Sequence, residues 1–173
     1  MRRTLWEGLV RRPVTIDAPP ASDAALAELA SKVEAAARRR LGRSLSIREV
    51  DAGSCNGCEL EIHALNNAVY DLERFGIRFV ASPRHADVLM VTGPVTVNMR
   101  EALERTYAAT PAPKWVVAVG HCARDGGLFA GSPACVGGVS TVVPVDLHIA
   151  GCPPTPLALL EGLLALLQRA ERP

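Results

Sequence analysis

Two runs in the chain, Val88-Leu89-Met90-Val91 and Trp115-Val116-Val117-Ala118-Val119, carry no charge and no alternation of apolar with polar residues. A strand with one face in water alternates with period two, so a strand that is apolar at every position is covered on both faces. Ile47 to Val50, Ile77 to Ala81 and Val143 to Ile149 read as further strands. A helix is expected from about Glu59 to Phe75, with Ile62, Leu65, Val69 and Leu72 on one face and Gly76 closing it. Others are expected from about Asn98 to Ala109 and through the Leu-rich stretch that Pro156 opens. Strands that alternate with helices and are buried on both sides specify an α/β domain built on a parallel sheet with helices on both faces.

The 173 residues suffice for one such domain and a short extension, not for two full domains. The first 45 or so form that extension. Pro13, Pro19 and Pro20 interrupt an opening arm. Ser22 then offers an N-cap to a helix whose Leu26, Leu29, Ala30, Val33, Ala37 and Leu41 recur at helical spacing up to Gly42. This segment, 1–45, either packs on the domain or docks on another subunit; residues 46–173 make the domain proper. Aromatic residues are only 4%, which leaves the core to Val, Leu, Ile and Ala. Lys and Arg number 19 against 18 Asp and Glu, a balance that argues against a nucleic-acid partner, which calls for a basic face. The longest apolar run, Leu157 to Leu167, is about half of the roughly 20 residues that span a bilayer. No apolar stretch of a secretory leader follows Met1-Arg2-Arg3.

The five cysteines carry the chemistry. In a reducing compartment clustered thiols bind metal or act in redox reactions before they form disulfides. Cys55 and Cys58 follow the Ile47–Val50 strand in Gly53-Ser54-Cys55-Asn56-Gly57-Cys58. Cys122 follows the Trp115–Val119 strand through Gly120-His121, and Cys152 follows the last strand through Ala150-Gly151. Loops after parallel strands leave the sheet at its carboxyl edge, where open α/β folds bind ligands. Three loops thus bring four thiols to one place. Four thiolates suit tetrahedral zinc or an iron–sulfur cube. Only one pair is closely spaced, Cys152 is followed by Pro153-Pro154, and Gly53, Gly57, Gly120, Gly126, Gly127 and Gly151 allow backbone N–H groups to approach an anionic centre. The pattern favours the cluster over zinc. A redox dithiol at Cys55 and Cys58 is the other alternative, and it leaves Cys122 and Cys152 without a role.

Cys135, with no strand leading into it, reads as a buried or spare thiol. His121 adjoins Cys122 and could tune the site or carry a proton, although packing is the commoner role for a histidine, as for His63 and His85. Glu59 and Glu61 suit the start of a helix, and Glu59 could relay protons. No G-x-x-x-x-G-K, G-x-S-x-G or H-E-x-x-H motif is present, so nucleotide hydrolysis, serine esterase and zincin chemistry find no support.

Several ordered motifs together resemble one family. They are Gly53-Ser54-Cys55-Asn56-Gly57-Cys58-Glu59, Ala81-Ser82-Pro83-Arg84-His85-Ala86-Asp87, Gly120-His121-Cys122-Ala123, and Val143-Pro144-Val145-Asp146 leading to Gly151-Cys152-Pro153-Pro154. From Asp51 to about Leu167 the chain resembles the small iron–sulfur subunit shared by [NiFe] hydrogenases and respiratory complex I. The resemblance implies a flavodoxin-like domain with one [4Fe–4S] cluster on Cys55, Cys58, Cys122 and Cys152. It also implies an electron-transfer role beside a large [NiFe] hydrogenase-type or complex I 49 kDa-type subunit, with a ferredoxin-like iron–sulfur subunit and, indirectly, membrane-arm subunits. The expected location is cytoplasmic, held peripherally to the inner membrane through those partners. Complex I subunits have two adjacent cysteines where this chain has Cys55-Asn56-Gly57-Cys58, so the resemblance is nearer to energy-converting hydrogenases, formate hydrogenlyase included. Quinone reduction, as in complex I, is the alternative.

Overall fold

A computed structural model describes residues 23–169. The opening arm with Pro13, Pro19 and Pro20, and the expected cap at Ser22, lie outside the described residues. Helix α1 (Asp23–Leu41) comes first, followed by strand β1 (Leu45–Asp51) and helix α2 (Gly57–Ala64). Strands β2 (Ile77–Phe79), β3 (Val88–Thr92) and β4 (Val95–Thr96) precede helix α3 (Val97–Ala109). Strand β5 (Trp115–Val119) runs directly into the short helix α4 (Gly120–Asp125); β6 (Cys135–Gly137), β7 (Leu147–Ile149) and helix α5 (Pro156–Gln168) complete the fold.

Five strands pair in parallel in the order β2-β1-β3-β5-β7. Numbered as main-sheet strands this is 2-1-3-4-5, the flavodoxin-like order, whose direction reverses between β1 and β3. The apolar runs behave as two-sided strands. Val88, Met90, Val117 and Val119 point into one core with α1, α2 and α5; Leu89, Val91, Val116 and Ala118 point into the other with Leu103 of α3 and Ala123 of α4.

Helix α1 shares the first core. Ala30, Val33, Ala36 and Ala37 are buried and the helix lies along α5. Arg40 fastens the two: its Nη1 donates to the carbonyls of Leu166 (3.2 Å), Leu167 (3.0 Å) and Arg169 (2.7 Å), and its guanidinium lies over the Trp115 ring at 4.7 Å. Unpaired carbonyls at a helix C-terminus are thereby satisfied by a cation, which the helix dipole also favours.

Three expected elements differ. The helix expected over 59–75 stops at Ala64, because Asn67 Oδ1 accepts the N–H groups of Val69 (2.8 Å) and Tyr70 (3.0 Å) and winds a turn, and Asp71 takes φ +43°. A 3₁₀ turn at Leu72–Phe75 restores contact with the core, so Ile62, Leu65 and Leu72 are buried while Val69 is exposed. The strand expected over 77–81 ends at Phe79, and that over 143–149 begins only at Leu147. Val143 is still bonded to Val139 O in the turn before it, and Pro144 has no N–H to offer a ladder. The structure also gives Cys135 a strand of its own, β6, antiparallel to β4.

Asp87 joins the start of β1 to β3. It is 2% exposed, accepts from Arg43 with both oxygens, and accepts the backbone N–H of Ser46 at 2.9 Å. Asp87→Ala leaves that buried N–H without a partner and is expected to lower stability by about 2–3 kcal/mol, read as a lower urea midpoint with unchanged slope.

Candidate metal centre

The loop between β1 and α2 is wound by its own polar groups. Asp51 Oδ1 accepts from the N–H groups of Gly53 and Ser54, both at 2.7 Å, and Ser54 Oγ accepts from that of Asn56 at 3.0 Å. Asn56 takes φ +69°, and α2 starts at once, with Cys58 in its first turn. Cys122 lies inside α4, which begins where β5 ends, so it sits in a helical turn where a loop was expected. Cys152 leads into α5 through Pro153 and Pro154; Thr155 Oγ1 caps that helix at the Ala158 N–H (3.3 Å), and Pro156 occupies its first turn.

These three segments bring Cys55, Cys58, Cys122 and Cys152 to one pocket of about 70 Å³ at the carboxyl edge of the sheet. Ser54, Gly57, Gly93, His121, Gly151 and Pro153 complete its walls. Cys55 and Cys152 are exposed at its mouth, while Cys58 and Cys122 are half-buried; all four are free thiols. Cys135 does not line it. Among the described residues, no three His, Cys, Asp or Glu side chains are grouped closely enough to hold a single metal ion.

Glycine makes room for sulfur at two walls. Gly120 has φ +85°, and a methyl group there would stand 2.8 Å from Cys58 Sγ; Gly127 has φ +49° and would bring one to 2.9 Å from Cys122 Sγ. Burial, with Glu59 and the other three cysteines adding negative charge, pushes the Cys58 thiol up to about 12. Burial and Cys152 also raise Cys122, against a backbone hydrogen bond from Leu128 that favours its thiolate. The half-buried thiols of Cys58 and Cys122, which resist ionising, are a natural place for a cationic centre that would compensate their charge.

Acidic groups stand behind this wall. Glu59 is 6% exposed, and neither of its oxygens has a hydrogen-bond partner among the described residues. Glu49, on β1, is raised by burial above all, then by Glu59 and Asp51, against the opposing effect of His63. Sequence reasoning singled out Glu59 but missed Glu49, whose signal was a carboxylate within a buried strand. His121 lines the pocket; His63 and His85 are exposed and do not. Also missed was His148 on β7, whose Nε2 lies 3.0 Å from Gly120 O.

Residues 55–166 match the family model described as NADH ubiquinone oxidoreductase, 20 Kd subunit. The chain belongs to this family. It is 46% identical over 132 residues to a probable membrane-bound hydrogenase subunit of Pyrococcus furiosus, covering 76% of this chain and 79% of that protein. It is 41% identical over 160 residues to formate hydrogenlyase subunit 7 of Escherichia coli, covering 92% of this chain but 59% of the relative. Because the second match covers 92% of this chain, it takes in most of the extension that precedes β1. Among solved structures, a chain of the membrane-bound sulfane sulfur reductase, an archaeal respiratory membrane complex, superposes with TM-score 0.65 at 38% identity, over 76% of this chain and 71% of that one. The family is one of oxidoreductase subunits, and no helix among the described residues is long and apolar enough to cross a membrane.

Gly42 and Gly120 share a left-handed φ but not their surroundings, since nothing lies within 4 Å of a methyl placed on Gly42. Gly42→Ala is therefore expected to cost about 1 kcal/mol of backbone strain. Gly120→Ala adds overlap with Cys58 and is expected to cost about 2–4 kcal/mol. Melting of the two variants side by side measures the difference.

Proposed function

We propose that this chain is the electron-transfer subunit of a membrane-associated [NiFe] hydrogenase complex of the formate hydrogenlyase type, with one [4Fe–4S] cluster on Cys55, Cys58, Cys122 and Cys152. The observation that carries the reading is the meeting of these four thiols in one pocket, from three strand exits at one sheet edge. A single zinc ion would draw the sulfurs to about 3.8 Å from one another, given a Zn–S bond of about 2.3 Å. Among the described residues no ligand group is tight enough for a single ion, which supports a multi-iron cluster over zinc. When bound, such a cluster supplies reversible one-electron transfer.

The chain's own part is to hold and tune that site. Half-buried Cys58 and Cys122 form its protein side, with the Leu128 N–H on Cys122; exposed Cys55 and Cys152 face outward, where a partner would exclude water. Leu128, whose N–H bonds Cys122, is 92% exposed and its neighbour Phe129 41%, while Leu60 is exposed on the helix that holds Cys58 and Leu157 on the helix that follows Cys152. Apolar groups left open around a redox site suit a subunit interface. The proposed occupant is the large [NiFe] subunit, with a ferredoxin-like subunit as electron donor or acceptor and attachment to the cytoplasmic face of the membrane through partners. The part of residues 1–45 not used to pack α1 on α5 serves as a further docking element. The family description names an NADH ubiquinone oxidoreductase, and quinone reduction is accordingly the second reading. The C-x-x-C spacing at Cys55 and Cys58 favours the hydrogenase.

Anaerobically purified protein, co-expressed with its large subunit, is expected to contain about four irons and four acid-labile sulfides per chain. About one zinc without sulfide would sink the reading. Cys→Ser at Cys55, Cys58, Cys122 or Cys152 is expected to lose or degrade the cluster, and Cys135→Ser to retain it.

Leu128→Asp with Phe129→Asp is expected to weaken binding of the large subunit by about 2 kcal/mol or more, roughly 30-fold in Kd, with normal iron content. Wild-type affinity in a pull-down titration would remove this face from the interface.

A further inference from the structure

The turn that carries Cys122 is held from the side by a residue to which the cluster reading gives no task. His148 is half-buried on β7, and its Nε2 lies 3.0 Å from the carbonyl oxygen of Gly120. A carbonyl only accepts, so Nε2 carries the proton and donates. The peptide it grips continues into His121, whose N–H donates to Gly151 O at 2.9 Å. The Gly151 carbonyl in turn belongs to the peptide whose N–H is that of Cys152. A line of donors and acceptors therefore runs from the imidazole through the Gly120–His121 peptide to the Gly151–Cys152 peptide, and it joins the loops of two pocket cysteines. The same Gly120 leaves the space beside Cys58 Sγ, where a methyl would come to 2.8 Å. One peptide thus touches the surroundings of three thiols, and His148 is the side chain that fixes it.

We propose that His148 is a positioning residue for the four-thiol site, holding the Gly120 peptide between Cys58 and the Gly151–Cys152 loop and biasing the reduction potential of the cluster bound there. The inference rests on the cluster reading above. His148 acts through two peptides. Hydrogen bonds in series polarise one another, by roughly 10–30% per bond. The imidazole N–H accordingly makes the N–H end of the Cys152 peptide more positive, beside the site, and this favours the reduced, more negative state. It also stiffens the spacing between the Cys122 and Cys152 segments, as supporting groups around metal sites do.

The test uses the complex with its large subunit, purified anaerobically as wild type, His148→Phe and His148→Gln. Phenylalanine keeps a ring of similar size and removes the donor; glutamine restores an N–H. His148→Leu takes the place of phenylalanine should the larger ring prevent assembly. Iron, sulfide and melting temperature are measured for each, together with the midpoint potential from an EPR-monitored redox titration and the rate of iron loss to a chelator. The expected result is a loaded His148→Phe complex with a lowered midpoint potential and iron loss about tenfold faster, both returned toward wild type in His148→Gln. Wild-type potential and chelation rate in His148→Phe would overturn the proposal. So would a His148→Gln complex shifted as far as His148→Phe with an equal fall in melting temperature, since packing alone would then explain both. Absence of iron and sulfide from the wild type would instead remove the cluster reading on which the inference stands.

Discussion

Parallel pairing of β1, β3, β5 and β7 sends four strand exits to one edge of the sheet, and the rest of the molecule is arranged around that edge. A parallel sheet requires a crossover after each strand, so each exit is followed at once by chain that can carry a ligand. Here the crossovers after β1 and β5 begin with Cys55 and Cys58 and with Cys122, and the exit of β7 toward α5 carries Cys152. The cost of this geometry is that the strands are buried on both sides. Val88 to Val91 and Val116 to Val119 meet the cost by being apolar throughout.

Close approach is the second condition. Thiols can meet only where the backbone behind them yields space, and Gly120 and Gly127 provide it against Cys58 and Cys122. Such positions are intolerant because both the backbone angle and the missing side chain are used. The loop before Cys55 meets the same demand differently, through Asp51 and Ser54, which satisfy its N–H groups locally and leave no slack before α2.

The two-sided strands were legible because burial on both faces leaves a direct trace in composition. The convergence of the four cysteines was legible because parallel topology alone dictates it. What escaped was set by polar detail. Asn67 folds back on its own backbone and ends a helix that the spacing of Val69 and Leu72 would continue. Pro144 and the turn before it shorten the last strand from the expected start at Val143. The antiparallel pair of Cys135–Gly137 with Val95–Thr96 joins segments too short to show a period. Glu49 and His148 were invisible for a related reason: each lies in a strand and owes its interest to what the tertiary fold sets beside it.

The clasp between Arg40 and the end of α5 has a consequence for the order in which the molecule is completed. Helix α1 precedes the sheet in the chain and finds its partner only in α5, which follows it. Until α5 is made, Ala30, Val33, Ala36 and Ala37 lack its cover, and a nascent chain carries an open apolar stripe while the sheet is synthesised. Cys152 shortly precedes α5, so the last of the four thiols reaches the sheet edge together with the helix that packs on α1. Emergence from the ribosome thus delivers Cys55, Cys58 and Cys122 before Cys152, and docking of α5 goes together with completion of the four-thiol corner.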